Sequence, residues 1–180
     1  TLFPYTTLFR SPEDQCLPPP ARSCLESLAA TLMTVEQEIA TSERQILLWH
    51  RSNDASRRLV SIPGIGPIIA TALIASVADP SIFKSGREMA AWIGLVPKQN
   101  STGGKERPSH ISKAGNRYLR SLLMIGAFSL IKRAKLGKGK PRPWLIDLMA
   151  RRPIKVAAIA LANKIARIAW ALMTRGTRYR

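Results

Sequence analysis

A run of apolar residues spaced alternately three and four positions apart constrains the fold of this chain more than any other feature. This spacing puts the side chains on one face of an α-helix, in the pattern of the a and d positions of a heptad repeat. It predicts one coiled-coil-like helix over residues 22–58. The positions, which we call the seam, are Leu25, Leu28, Leu32, Val35, Ile39, the polar Ser42, Ile46 and Trp49.

The seam leaves two interpretations open. In one, residues 25–49 pair with a second helix, which makes the protein a homo-oligomer or holds a neighbouring domain. In the other, the helix is amphipathic and packs on its own domain. Over so few heptads, the pattern supports the two interpretations about equally.

Glycine and proline mark a turn after this helix, in the run Ile-Pro-Gly-Ile-Gly-Pro that ends at Pro67. Gly64 and Gly66 are expected to turn the chain, and Pro67 suits the first turn of the next helix. The run is similar to a helix-hairpin-helix element, in which backbone N–H groups at a helix N-terminus bind a phosphate without reading bases. A plain helical hairpin is the alternative.

The rest of the chain also favours helices. Ser85 can cap a helix over residues 86–92, Asn116 can open another, and residues 144–150 and 154–173 are predicted to be helical. Residues 95–113 are predicted to be irregular or to form a small β-hairpin. The fold class is therefore mainly α: a long coiled-coil-like helix followed by a helix-hairpin-helix-like helical domain.

The charge balance points to a polyanionic partner. The chain has 28 Lys and Arg residues against 11 Asp and Glu, which gives a net charge of +17, and such an excess is typical of nucleic-acid-binding proteins. No membrane contact is predicted, because residues 65–78 are too short for a span and polar residues interrupt residues 154–173. Two cysteines, Cys16 and Cys24, form no disulfide or metal framework, and no signal peptide is evident, so we expect a cytoplasmic protein.

Residues 1–11 read as the in-frame translation of a common sequencing-library adapter, and we leave them out of the fold prediction. The predicted layout is then a Pro-rich linker over residues 12–21, the coiled-coil helix over 22–58, a domain over 59–135 and a basic helical extension over 136–180.

Two hydroxyl side chains stand in a basic, glycine-containing segment. Ser101 and Thr102 precede Gly103 and Gly104, and the nearby basic residues are Lys98, Lys105, Arg107, Lys113, Arg117 and Arg120. A hydroxyl in a positive field suits attack on a phosphodiester, because cations stabilise the negative charge that develops on the phosphorus oxygens. A solvated loop of ordinary composition is the alternative.

Five blocks of sequence carry a resemblance to a known family. They are Leu59–Pro67, Phe83–Ser85, Ala91–Pro97, Gln99–Lys105 and Ile111–Arg120. In this order and spacing they resemble the C-terminal transposase domain of the IS110/IS116/IS902 family, strongly over residues 57–135 and more loosely out to about residues 22 and 175. The resemblance implies a DNA recombinase that uses a serine nucleophile in DNA transposition.

The resemblance also implies roles for the matching residues. Ser101 would attack a DNA phosphate and hold a covalent phosphoserine intermediate. Thr102 is the rival nucleophile, although its β-branched hydroxyl is more hindered. Nucleic-acid contacts are expected from Gly64, Gly66, Gly103, Gly104, Lys105, Arg107, Lys113, Asn116, Arg117 and Arg120. One departure, Pro108-Ser109-His110 in place of the usual leucine-glycine pair, bears on the hairpin geometry because proline removes a backbone donor.

Members of this family carry an N-terminal RuvC-like domain whose acidic residues bind Mg²⁺, and they use a structured guide RNA to choose DNA sites. No acidic cluster of that kind is evident here, so we predict no metal site and no cofactor in this chain and expect Mg²⁺ to act through the other domain. The chain alone is expected to be inactive. The predicted partners are DNA and a guide RNA at the nucleoid, and the alternative function is a non-catalytic, helix-hairpin-helix-type nucleic-acid-binding module.

Overall fold

The computed structural model describes residues 18–102, 105–138 and 142–179, and for residues 99–109 it describes no side chains. This part of the chain contains seven α-helices and one two-stranded sheet, so the mainly α fold class is confirmed. The chain divides into two compact units between Gln45 and Ile46. The adapter-like segment and most of the predicted linker lie outside the described residues.

The first helix, α1, spans Pro19–Ser52 and so begins earlier than the seam predicts. Proline is tolerated in a first helical turn, where the backbone N–H has no helical partner. None of the residues of α1 is buried. The seam side chains Leu28 and Ile39 are 64% and 53% exposed, so the seam is an exposed apolar face of this helix.

The helix predicted over residues 22–58 is two helices, because Asn53 interrupts it. Asn53 has an extended backbone, and its side-chain oxygen accepts a hydrogen bond from the Ser56 N–H, which caps the helix α2, Asp54–Leu59. The Nδ1 atom of His50 lies 2.6 Å from the Oγ atom of Ser56, which is fully buried. This polar contact between His50 and Ser56 therefore links the end of α1 to α2.

The turn predicted from glycine and proline is present. The chain passes through Gly64 at φ +89°, and the helix α3, Pro67–Ser76, begins with Gly66 as its N-cap residue and proline in its first turn. Ile62 and Ile65 on either side of Gly64 are buried. The left-handed φ at Gly64 requires glycine, because a Cβ atom is strained there.

A short 3₁₀ helix, Pro80–Ile82, and the helix α4, Gly86–Ile93, follow. Ser85 begins α4 as predicted, because its Oγ atom accepts a hydrogen bond from the Glu88 N–H. The Glu88 carboxylate accepts in turn from the backbone N–H of Lys84 at 2.7 Å. This arrangement satisfies backbone donors that a helix N-terminus otherwise leaves without partners.

The strands β1, Pro97–Thr102, and β2, Lys105–Ile111, pair antiparallel. Of the two structures predicted for residues 95–113, the β-hairpin is therefore correct. The helix α5, Arg117–Lys135, follows, and Asn116 opens it as predicted by accepting a hydrogen bond from the Leu119 N–H at 3.0 Å.

The helices α6, Pro143–Arg151, and α7, Ile154–Arg175, complete the second unit. The predicted extension over residues 136–180 includes both of these helices, and α7 shares a core with the helices before it: α7 contacts α2, α4, α5 and α6. The buried stripe of α7 consists of Ala157, Ala158, Leu161, Ala162, Ile165, Ala166, Ala169 and Leu172. Their three- and four-residue spacing makes one helix face apolar and explains its burial.

Among the described residues, α7 is the helix that is long and apolar enough to cross a membrane by length and composition. Its polar interruptions have partners within the unit. Asn163 donates from Nδ2 to the Leu95 carbonyl at 3.3 Å, and the Nζ atom of Lys164 lies 4.2 Å from the centre of the Trp144 ring. Because the buried stripe packs on helices of its own unit, we interpret α7 as a core helix.

Candidate functional site

The predicted serine motif lies at the end of β1, beside the hairpin tip. Ser101 pairs with Glu106, and Thr102 pairs with Lys105. Gly103 and Gly104 between the strands lie outside the described residues, as do the side chains of Ser101, Thr102, Lys105 and Arg107. The backbone therefore positions both candidate nucleophiles at the same end of the hairpin.

The sequence departure at Pro108 coincides with an irregularity of the hairpin. Pro108 pairs with Gln99 and Pro97 pairs with Ile111, so one residue of β1 faces two residues of β2 between these pairs. Proline has no N–H to donate to a strand ladder and is typical of edges and bulges. The register shift lies at the base of the hairpin, and the pairing is regular from Gln99 to Thr102.

Arg120 holds the base of the hairpin against α4. Its Nη1 atom donates to the carbonyl of Ile93 at 2.8 Å and to the carbonyl of Ala114 at 3.3 Å. The Ser112 N–H donates to the Val96 carbonyl at 2.8 Å. These bonds connect the segment after β2 to the end of α4, so the hairpin leaves the helical unit in a defined direction.

Two glycines permit this close contact. A Cβ atom on Gly94 would lie 2.0 Å from the Ala114 carbonyl oxygen, and one on Gly115 would lie 1.7 Å from the Trp92 carbonyl oxygen. Both glycines have positive φ, as does the neighbouring Lys113 at φ +54°. The loop before α5 is thus a tightly packed support for the hairpin.

The structure separates the predicted nucleic-acid contacts near the base of the hairpin into two groups. Arg120 is half-buried and bonded to backbone carbonyls, and the side chain of Asn116 caps α5. Lys113 and Arg117 are exposed beside the hairpin base. Sequence reasoning missed the supporting role of Arg120, because its acceptors are backbone oxygens, one of them 27 residues away.

Gly64 and Gly66 occupy different environments. A Cβ atom on Gly64 would lie 3.2 Å from the Gly126 carbonyl oxygen, and one on Gly126 would lie 2.1 Å from the Gly64 carbonyl oxygen. The turn therefore packs backbone to backbone on α5. A Cβ atom on Gly66 would have no atom within 4 Å, so the space at the N-terminus of α3 is open on that side.

Few carboxylates offset the basic side chains. One ion pair joins two described residues, Arg57 and Asp54. The hydrogen bond and charge of Arg57 hold the pKa of Asp54 below its usual value, and hydrogen bonds from Ser81 lower the pKa of Asp79 in the same way. Asp54 and Asp79 are therefore engaged chiefly by side chains two or three positions away.

Mg²⁺ prefers oxygen ligands, chiefly carboxylates. In the described ranges, no group of three or more His, Cys, Asp and Glu residues comes together. The family resemblance implies that the Mg²⁺ ligands lie in another domain, and we assign no step of the chemistry to that ion in this chain.

The sequence model of the family described as "Transposase IS116/IS110/IS902 family" matches residues 56–141, from the start of α2 beyond the end of α5. The chain belongs to the IS116/IS110/IS902 family. It is 47% identical, over 91% of its length, to a Pseudomonas aeruginosa protein named as a probable family 20 transposase. It is 40% identical, over 91% of its length, to the Coxiella burnetii transposase for insertion sequence element IS1111A. It is 37% identical, over 92% of its length, to the Yersinia enterocolitica transposase for IS1328.

The chain spans about half the length of these relatives: 48%, 45% and 50% in the same order. The family match contains the whole β1–β2 hairpin and the helix α5 that supports it. The resemblance stated from the five sequence blocks is thus confirmed.

Proposed function

We propose that this chain binds DNA and supplies the serine nucleophile that cleaves and rejoins strands in DNA transposition, with Ser101 in that role. The observation that carries the proposal is the position of the Gln99–Lys105 motif, on a β-hairpin inside the family match and supported at its base by Arg120. A nucleophile on a supported element can be held in a defined geometry against its target, which lowers the entropic part of the barrier.

In the proposed reaction, the Oγ atom of Ser101 attacks the phosphorus of a DNA phosphodiester. A bond forms between Oγ and phosphorus, and the bond from phosphorus to one deoxyribose oxygen breaks. The serine proton passes to solvent, and the departing oxygen takes up a proton. A hydroxyl of another strand then displaces the serine, so the phosphoserine bond conserves the energy needed for rejoining.

Charge supports the binding part of the proposal. The net charge is +17, and Lys113 and Arg117 are exposed beside the hairpin base. Gly66 adds an open helix N-terminus, which suits a phosphate. Lys105, Arg107, Gly103 and Gly104 are proposed to contact phosphates at the tip. A structured guide RNA is the second proposed polyanion, and the Mg²⁺ ligands are proposed to lie in the acidic domain that the family resemblance implies.

Binding is tested by titration against salt. The chain should bind duplex DNA and structured RNA, with log affinity falling linearly with log salt at a slope of about −0.9 for each neutralised DNA phosphate. A response that does not change with salt, or no binding at low salt, contradicts the proposal.

The nucleophile is tested in a chimaera in which residues 18–180 replace the matching part of the Coxiella burnetii transposase. Its covalent adduct with a suicide DNA substrate is measured on a denaturing gel. We expect an adduct that Ser101→Ala abolishes and Thr102→Ala only weakens, with DNA affinity nearly unchanged in both. The isolated chain should bind DNA without forming an adduct.

Two outcomes would revise the assignment. If Thr102→Ala abolishes the adduct and Ser101→Ala does not, the nucleophile is Thr102. If the adduct survives both substitutions, the serine hypothesis is wrong, and the non-catalytic nucleic-acid-binding function remains.

A further inference from the structure

An open cavity of about 330 Å³ lies between α5, α6 and α7, away from the residues of the hairpin. Its wall is apolar where Leu130, Leu145, Leu161 and Ile165 line it. The volume is at the lower end of the range found for ligand sites, which are mostly apolar with a few placed polar groups. We call this cavity the basic pocket, because of the side chains at its rim.

Four cationic side chains line the basic pocket: Arg133, Lys138, Arg142 and Lys164. No carboxylate is among the described residues that line it. Four positive charges around an apolar cavity repel one another, and an anion bound between them offsets that repulsion. The rim therefore favours a ligand that carries a negative charge, and the wall favours one that also carries an apolar or aromatic group.

Two aromatic rings hold cations at this rim. The Nζ atom of Lys164 lies 4.2 Å from the centre of the Trp144 ring, and the Cζ atom of Arg142 lies 5.3 Å from the centre of the Tyr179 ring. Both rings also line the pocket. Aromatic rings beside cations are the combination that binds single-stranded nucleic acid, through base stacking and phosphate contacts together.

We propose that the basic pocket binds one unpaired nucleotide, with the base against the apolar and aromatic wall and the phosphate at the cationic rim. The proposal rests on nucleic-acid binding by this chain and does not require the serine chemistry. A duplex cannot enter, because its bases are stacked and paired, so the pocket recognises a base outside the helix or in a single strand.

The surroundings of the pocket provide a path for the neighbouring phosphates. Trp144 and Lys164 also line a wider, open groove that contains Arg87 and Arg167, and no described carboxylate lines that groove. On the other side, Pro63 lines the pocket and directly precedes the Gly64 turn. A strand with one base in the pocket can therefore continue along positively charged surface.

The test uses the whole chain and two short oligonucleotides of one sequence, single-stranded DNA and single-stranded RNA, each with a fluorescent 2-aminopurine. We expect fluorescence to change on binding. Ala134→Phe, which fills the pocket from α5 without changing the charge, should weaken single-strand binding about five- to tenfold. The affinity of the Ala134→Phe variant for duplex DNA should change by less than about twofold. Ser129→Phe, at an exposed position of the same helix, is the matched control and should resemble the native chain.

A second pair of variants changes only exposed side chains, whose replacement usually alters stability by less than about 0.5 kcal/mol. Arg133→Gln should weaken single-strand binding more than Lys132→Gln, which removes an equal charge from the exposed neighbouring position. Unchanged fluorescence and single-strand affinity in both Ala134→Phe and Arg133→Gln, with duplex binding retained, overturns the pocket and leaves the proposed function intact. No binding to any nucleic acid at low salt overturns both. Whichever of the two oligonucleotides binds more tightly identifies the source of the nucleotide.

Discussion

Two helices of this protein carry apolar faces of the same period but use them differently. The seam of α1 is exposed, with Leu28 at 64% and Ile39 at 53%. The stripe of α7 is buried, with Ala162 and Ala166 fully inaccessible. The spacing of apolar residues therefore predicts that both segments are helices. It does not predict which apolar face is buried within the chain.

Side-chain size distinguishes the two faces. The buried stripe of α7 is mostly alanine, and small side chains let neighbouring helices approach closely, as they do where α5 and α4 contact α7. The seam of α1 consists of leucine, isoleucine and valine with one serine and one tryptophan. Leucine, isoleucine and valine are the larger side chains that fill the space between paired helices. The small side chains of α7 thus suit a closely packed core, whereas the larger side chains of the seam would suit pairing with a second helix.

The largest expected effect is on the α7 stripe. Ala162→Asp would place an unpaired carboxylate in a fully buried position, which should lower the free energy of unfolding by about 4 kcal/mol or more. Val156→Asp is the control: it is 46% exposed, near the N-terminus of the same helix, where a carboxylate is favoured. Urea unfolding followed by tryptophan fluorescence measures both. Equal stability of the two variants would contradict the core assignment of α7.

The second effect concerns the backbone contact between the turn and α5. The Cβ atom of Gly126→Ala would lie 2.1 Å from the Gly64 carbonyl oxygen, so the turn must move, and the free energy of unfolding should fall by about 1–3 kcal/mol. Gly66→Ala adds the same methyl group where no atom lies within 4 Å. That variant meets no clash and loses only the preference of an N-cap position for glycine over alanine, so its free energy of unfolding in urea should fall by less than about 1 kcal/mol. A Gly126→Ala variant of native stability would show that the contact is not tight.

These local contacts show how far the sequence predicts the fold. The starts of α3, α4 and α5 were predictable, because Pro67, Ser85 and Asn116 act on backbone groups within a few positions. The break at Asn53 was missed, although Asn followed by Asp54 is a helix-start signal. The seam ends at Trp49, before the break, so its spacing gave no support for one helix as far as residue 58.

Contacts between distant residues were not predictable from the sequence. Residues 136–180 were predicted as a basic helical extension, and their spacing did not show that Asn163 and Lys164 contact Leu95 and Trp144 of the same unit. The serine motif was predicted on a loop or a small β-hairpin, and the backbone of Ser101 and Thr102 lies in the first strand of such a hairpin. Arg120 binds backbone carbonyl oxygens and Arg117 is exposed. This difference depends on which carbonyl oxygens tertiary packing brings near each side chain, and sequence spacing does not encode it.

A smaller effect separates these two arginines. Arg120→Gln removes hydrogen bonds to the carbonyls of Ile93 and Ala114 and should lower the free energy of unfolding by about 1 kcal/mol. Amide exchange at residues 112–116 should become faster. Arg117→Gln removes an equal charge from an exposed position, so its stability should change by less than about 0.5 kcal/mol.

In a DNA titration, Arg117→Gln should reduce the salt slope by about 1, and Arg120→Gln should reduce it less. The reverse pattern would make Arg120 the phosphate contact.

The smallest effect on the folded unit, and the most direct test of the comparison, is a change in the seam. Leu32→Lys with Ile39→Lys puts two charges on a face that is already exposed in the single chain, so the stability of the unit formed by residues 46–180 should change by less than about 0.5 kcal/mol. If the seam pairs with a second copy, the same charges must enter an apolar interface and should dissociate it.

For a seam that pairs in this way, light scattering should give a mass above that of one chain for the native protein and the mass of one chain for the variant. Thr34→Lys with Gln37→Lys adds the same two charges at exposed positions off the seam and should leave the larger mass unchanged. One chain mass for all three proteins would mean that the seam does not mediate self-association, and the contrast with α7 would then require a different partner for α1.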